Sequence, residues 1–287
     1  MVLNTYTKDG MQQSVCEYLK VSYFEVKDLF RYASRQANKN TYFDGDIFNQ
    51  ILDNFIIKNA PKDQIDEILF FHLTRRLNSC IDDYNGHNLI NLLTKKNPFS
   101  DFFKEHRVEF VENDGKIDLI HRRKIKSLDG TWDTDALYLR GRFGYNKGRE
   151  DFCFNGFAFK DLLCKNSYTR ELSGVPELVG VLANFLNRTD IAQDYYEQST
   201  YLCLEYKIPM DKVIFDDDDK ILPNKKMFYL LNRILNRLFE YENYHIDDMN
   251  DYDNPILRLN DNDTMSSEYF VKKEKVSFFA NKTYLLR

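Results

Sequence analysis

Thr200-Tyr201-Leu202-Cys203-Leu204-Glu205-Tyr206-Lys207-Ile208-Pro209 is a short, largely apolar run rich in aromatic residues. It reads as a strand that Pro209 stops, because proline has no N–H to give a ladder. Side chains alternate along a strand, so Glu205 shares a face with Tyr201 and Cys203, while Leu202, Leu204 and Tyr206 take the other. A second run, Ile68-Leu69-Phe70-Phe71-His72-Leu73-Thr74, reads as a buried strand of similar length. These two strands, far apart in the chain, define a sheet, and the remaining elements are read outward from them.

Val108-Glu109-Phe110-Val111 and Ile117-Asp118-Leu119-Ile120 flank Asn113-Asp114-Gly115, and Asp-Gly supplies the positive φ of a tight hairpin turn. Ala136 to Phe143 alternates, which predicts a strand with Tyr138, Arg140 and Arg142 on one face. Asp151 to Phe159 reads as a strand with a bulge or turn at Asn155-Gly156. Pro176 to Arg188 reads as a helix with Pro176 at its first position and a stripe through Leu178, Val181, Leu182 and Phe185.

Residues 1–65 read as helical. Val26, Leu29, Phe30 and Ala33 form one apolar stripe; Ile47, Phe48, Ile51, Leu52, Phe55 and Ile56 form another behind the caps Asp44 and Asp46. A helix-turn-helix is a sharper reading of this segment, set against it by the lack of a glycine turn and of a dense basic face. Residues 227–241 form an amphipathic helix with Arg233 and Arg237 on its polar face. Asp216 to Asp219 reads as a solvated turn, residues 243–263 as a loop, and Tyr269 to Leu286 as a hairpin across Ala280-Asn281-Lys282. The expected class is α+β: an N-terminal helical region (1–65), a central split mixed sheet (66–222), and a C-terminal helix with a short β tail (223–287).

Composition narrows the function. Lys and Arg total 40 against 45 Asp and Glu, a net charge of −5, so no global positive field draws nucleic acid to the chain. With 19 Tyr and 23 Phe there is ample aromatic surface to bury. No apolar window is long enough for a membrane-spanning helix, and MVLNTYTKDG does not read as a secretory signal, so a cytoplasmic protein is expected. The five cysteines and five histidines show no metal spacing, so no metal site and no disulfide framework is expected. Walker, dinucleotide and nucleophile-elbow signatures are absent.

The order of the central elements, a strand bearing His72-Leu73-Thr74, a polar segment bearing Arg140, a helix, and a strand bearing Glu205, resembles the ADP-ribosyltransferase fold in its toxin-like branch. Phe71 to Leu77 is similar to the family's opening strand and its exit into a helix. The separation of His72 from Glu205 (205 minus 72, or 133 positions) is similar to the family's own, and the resemblance covers about residues 66–215. It implies ADP-ribosyl transfer from NAD, or NAD hydrolysis, with NAD as co-substrate and Glu205 stabilising the positive charge that develops on the ribose. It further implies His72 on the adenosine-side ribose, Thr74 at the strand end, Arg140 clamping the diphosphate, and Tyr138 or Tyr168 stacking on nicotinamide. Arg142, Arg107 and Arg149 are rivals for the clamp. Cys203 stands where arginine-modifying members carry an acidic or amide residue, which sets arginine acceptors apart from what this chain is expected to modify. The implied role is a bacterial toxin, effector or phage-conflict protein acting on an unknown macromolecular acceptor, with a protein partner or antitoxin, in its own or a host cytoplasm.

Two other classes stay open on the residues alone. One is a non-enzymatic interaction protein of a mobile element or defence system, in which Glu205 is a solvated side chain. The other is a nucleic-acid binder or nuclease, because His121-Arg122-Arg123-Lys124-Ile125-Lys126 concentrates positive charge locally.

Overall fold

A computed structural model describes the chain except residues 41, 62–64, 130–132, 147–150, 245, 247–253, 280, 281 and 287, and describes no side chains for 278–287. Along the chain run α1 (Lys8–Leu19), α2 (Tyr23–Ala37), α3 (Gly45–Asn59), β1 (Glu67–Leu77), α4 (Leu89–Thr94), α5 (Pro98–Glu105), β2 (Val108–Asn113), β3 (Lys116–His121) and β4 (Lys124–Ile125). There follow α6 (Thr134–Arg142), β5 (Asn155–Phe157), α7 (Ser167–Glu171), α8 (Glu177–Phe185), α9 (Thr189–Glu197), β6 (Ser199–Pro209), β7 (Ile214–Phe215), α10 (Lys226–Asn243), β8 (Ile256–Arg258), β9 (Phe270–Phe279) and β10 (Lys282–Leu286). The class is α+β. The larger sheet has the strand order β10-β9-β6-β1-β5-β8-β7, and β2, β3 and β4 form a second, small sheet.

The chain groups into two compact units. One comprises Met1–Phe71, Phe157–Asn166 and Lys207–Leu257; the other comprises His72–Gly156, Ser167–Tyr206 and Arg258–Arg287.

The first unit is mainly helical. Thr7 caps α1 by accepting from the Gly10 N–H at 3.0 Å. A Cβ at Gly10 would lie 2.5 Å from the Asn4 side chain, so glycine permits that close approach. Ser22 and Glu25 form a capping box on α2, and Asp44 caps α3. The expected α2 stripe, Val26, Leu29, Phe30 and Ala33, is buried; of the α3 stripe, Phe48, Leu52 and Ile56 are buried while Ile47, Ile51 and Phe55 are half-buried. Phe239 of α10 packs its ring 4.5 Å from Phe48 and 5.6 Å from Phe30. Lys226 is buried at the start of α10, where its ammonium donates to the carbonyls of Met210, Asp211 and Val213 at 3.4, 3.2 and 2.6 Å.

Arg237 is not on the polar face of α10. It is 2% exposed, and its Nε and Nη1 donate to Asp161 at 3.1 Å and Glu240 at 3.0 Å. Tyr241 also donates to Asp161, at 2.6 Å. A guanidinium enters a core when carboxylates meet it there, and the sequence stripe does not show Asp161.

The second unit holds the small sheet and most of the remaining helices. Asp114 (φ 52) and Gly115 (φ 71) make the expected two-residue turn, and β2 pairs with β3 from Val108↔His121 to Asn113↔Lys116. The terminal hairpin also forms, with β9 paired to β10 from Phe279↔Lys282 to Lys275↔Leu286, although the turn residues Ala280 and Asn281 lie outside the described chain.

Three local expectations are corrected. Ala136 to Phe143 is helical, not extended: Asp133 accepts from the Asp135 N–H at 2.9 Å, and Ala136, Leu139 and Phe143 are buried at i, i+3 and i+7. An eight-residue alternation fits that period as well as it fits a strand. β1 continues through Leu77 and ends in the 3-10 turn Asn78–Cys80 rather than passing into a helix. Pro176 is the N-cap of α8 rather than its first residue, and a separate helix, α9, follows.

Removal of Asp161 leaves the buried Arg237 cation with only the half-buried Glu240 as its carboxylate partner among the described residues. Asp161→Ala is expected to lower the unfolding free energy in urea by about 3 kcal/mol, and pairing Asp161→Leu with Arg237→Met is expected to recover most of it. A single-mutant loss below about 1 kcal/mol would mark the pair as no stronger than a surface one.

Candidate functional site

The ladder between β1 and β6 decides where the expected site residues point. Asn78 N–H donates to the Gln198 carbonyl at 2.8 Å, and Met210 N–H donates to the Asp66 carbonyl at 2.8 Å. Residue 78 therefore faces 198 and residue 66 faces 210. The offset is the same at both places, so no bulge intervenes and His72 lies opposite Leu204. With a period of two, His72 and Thr74 share a face with Leu204, while Cys203 and Glu205 lie on the other face.

The two faces have different chemistry. The His72 ring lies 4.1 Å from the Phe154 ring, and its Nδ1 sits 2.7 Å from the Asn155 carbonyl, so the neutral tautomer carries its proton on Nδ1. Burial, aided by the nearby Arg76 cation, pushes its pKa down to about 3. The Thr74 hydroxyl contacts the Arg75 carbonyl at 3.4 Å. Next to them Arg75 ties down the strand: its guanidinium donates to Ser199 Oγ (3.0 Å) and to the carbonyls of Ser173, Tyr196 and Ser199 (2.7, 2.9 and 2.8 Å).

Glu205 is buried, not solvated; its residue is 1% exposed. On β9, Lys272 faces Glu205 and Glu274 faces Cys203. The Lys272 ammonium lies 3.6 Å from the Glu205 carboxylate and 3.1 Å from that of Glu274. Burial raises the Glu205 pKa to about 7, with Lys272 opposing the rise and Glu274 adding to it.

The remaining candidates lie on α6 and near it. Arg140 pairs with Asp129, reaches the Leu128 carbonyl at 3.4 Å, and stands 5.9 Å from the Tyr145 ring centre. Tyr138 donates to Glu177, and burial pushes its ionisation far up. Arg142 pairs with Asp151, and both groups act electrostatically on Tyr138 and Tyr168. The fold thus gathers Tyr138, Tyr168 and Arg142 with Glu177 and Asp151. It does not place His72 on the face of Glu205, and Arg140 has contacts of its own. Arg149 lies outside the described residues.

Arg107 falls in a different setting, at the edge of the small sheet. His121 pairs with Lys124 and Ile120 with Ile125, so Arg122 and Arg123 alone form the turn. Both are left-handed, with φ 51 and 65, and so is Arg107 at φ 63. The Arg122 N–H donates to the Arg107 carbonyl at 2.9 Å, which ties the third arginine to the turn. Arg107, Arg122, Arg123, Lys124 and Lys126 are all exposed, and among the described residues none of them is in an ion pair. The adjacent Arg188, by contrast, is committed to Asp190 at 2.7 Å. Beneath the turn His121 is buried, and burial together with Arg122, Lys126 and Arg188 lowers its pKa.

The turn is built against backbone preference. Each side chain in the left-handed region costs about 1–2 kcal/mol, and the mirror-image turn normally takes Asn-Gly. The charge of 121–126 is visible in the sequence; the left-handed turn and the addition of Arg107 are not, because nothing near Arg122-Arg123 marks a turn.

Glu205 gives a testable pH dependence. Its folded pKa is raised, so between pH 4.5 and about 7 the folded chain holds a proton that the unfolded chain releases, and stability contributed there falls as pH rises. The expected difference between pH 5 and pH 8 is about 2–3 kcal/mol from this group. Glu205→Gln is expected to flatten that part of the urea-unfolding profile; an unchanged profile would remove Glu205 as its source.

Among the described residues no helix is long and apolar enough to cross a membrane, and no cluster of three or more His, Cys, Asp or Glu is placed to hold a metal ion. Comparison with known proteins finds no matching family model, no matching curated protein and no matching solved structure.

Proposed function

We propose that the protein binds nucleic acid through the phosphate backbone, at the edge formed by Arg107, Arg122, Arg123, Lys124 and Lys126. The observation that carries this reading is the Arg122-Arg123 turn: two adjacent left-handed arginines, exposed and outside any ion pair among the described residues. Arginine grips phosphate oxygens through two N–H groups at once, and a hairpin tip carries such groups clear of the body. The chain as a whole has a net charge of −5, so binding depends on this local cluster rather than on a long-range field. A sequence-independent interaction follows, since phosphate contacts position a protein without reading bases. The reading fits a cytoplasmic protein whose partner is a nucleic acid.

A second reading, ADP-ribosyl transfer from NAD to a macromolecular acceptor, is supported by the raised Glu205 carboxyl and by the gathering of Tyr138, Tyr168 and Arg142. It requires Glu205, buried where β6 pairs with β9, to reach a ribose. NAD consumption by the purified protein with cell lysate, abolished by Glu205→Ala, would favour it over the first.

The primary reading is tested by fluorescence anisotropy with a random-sequence duplex. Engagement of about four phosphates gives a slope of log affinity on log salt near −4. Arg122→Glu with Arg123→Glu is expected to abolish binding at moderate salt. Arg122→Asn with Arg123→Gly relaxes the turn, so it is expected to raise unfolding free energy by about 1–2 kcal/mol while weakening binding about tenfold or more. Undiminished duplex binding by this more stable variant would overturn the proposal.

A further inference from the structure

In the helical unit, α2 and α10 enclose a groove of about 320 Å³ that lies outside the candidate sites considered above. Phe30 and Phe239 form its apolar floor, their rings edge to face at 5.6 Å. Phe30 is buried and Phe239 only half-buried, so part of one aromatic ring stays available inside the groove. Lys27, Arg31 and Arg35 recur at every fourth residue of α2 and so line one rim. Ser34, Glu242 and Asn243 complete the lining.

The balance of charge limits what can enter. Lys27 is neutralised by Glu242, whose carboxylate it meets at 2.9 Å and which also accepts from Tyr23 at 2.9 Å. Arg31 pairs with Asp28, but both side chains are about two-thirds exposed, at 67% and 69%, so that pair exchanges readily for a better anion. Arg35 has no ion pair among the described residues. One to two positive charges are thus on offer. A phosphomonoester carries about −1.5 to −2 at neutral pH, which that supply matches; a polyphosphate carries more than it matches. The aromatic floor favours a flat ring beside the phosphate.

We infer that this groove binds an aromatic phosphomonoester of the nucleoside monophosphate class, its ring against Phe239 and its phosphate on Arg35 and Arg31. This site is independent of the Arg122-Arg123 turn and of the duplex binding proposed there.

Isothermal titration of the full chain with AMP, adenosine and inorganic phosphate tests it. AMP is expected to saturate one site, with adenosine and inorganic phosphate each at least about tenfold weaker, since each lacks half of the contacts. Arg35→Glu, on an exposed position where folding is not at stake, is expected to weaken AMP by about tenfold or more, and Ser34→Trp to block the groove sterically. Arg122→Asn with Arg123→Gly is expected to leave AMP affinity unchanged. The inference is overturned by absence of saturable AMP binding, by inorganic phosphate binding as tightly as AMP, or by loss of AMP binding in the turn variant with retention in Arg35→Glu.

Discussion

The pairing offset between β1 and β6 governs the chemistry available to the central strands. Once residue 78 faces 198, every side chain from His72 to Leu77 is assigned a side, and a slip of one residue would invert all of them. His72 then meets Phe154 and the Asn155 carbonyl, while Glu205 is turned toward Lys272 and Glu274 of β9. A neutral imidazole and a carboxyl that holds its proton near neutrality are what those two surroundings dictate. Neither is a charged group left over; each is matched to the face on which it lies.

The small sheet follows another logic. Its first turn, Asp114-Gly115, uses residues that accept positive φ at little cost, and its second uses Arg122-Arg123, which do not. Both turns serve hairpins of the same kind, so the difference lies in the side chains presented rather than in the backbone required. Strain held at a solvent-facing position, in a chain with excess acid, is the feature for which packing offers no account and charge does.

Much of the architecture could be read from local pattern because local physics determines it. The α2 stripe, the cap Asp44, the Asp114-Gly115 hairpin and the end of β6 at Pro209 all depend on neighbours within a few residues. What could not be read depends on distant partners. Arg237 looks like a surface residue until Asp161, 76 positions away, is beside it. Glu205 looks solvated until β9 brings Lys272 and Glu274 beside it. Ala136 to Phe143 misleads for another reason: eight residues hold too few turns for a period of 2 to be told from one of 3.6. The candidate site divides in the same way, since the basic run 121–126 is plain in sequence while its union with Arg107 needs the hairpin to close.

Lys226 carries a consequence of its own. Three main-chain oxygens surround its ammonium at the head of α10, and burial lowers its proton affinity below that of an ordinary lysine. A lysine on the surface is reached freely by acylating reagents, whereas this one is shielded. Its labelling rate therefore measures how often the start of α10 opens, making one native amine a clock for the breathing of the helical unit.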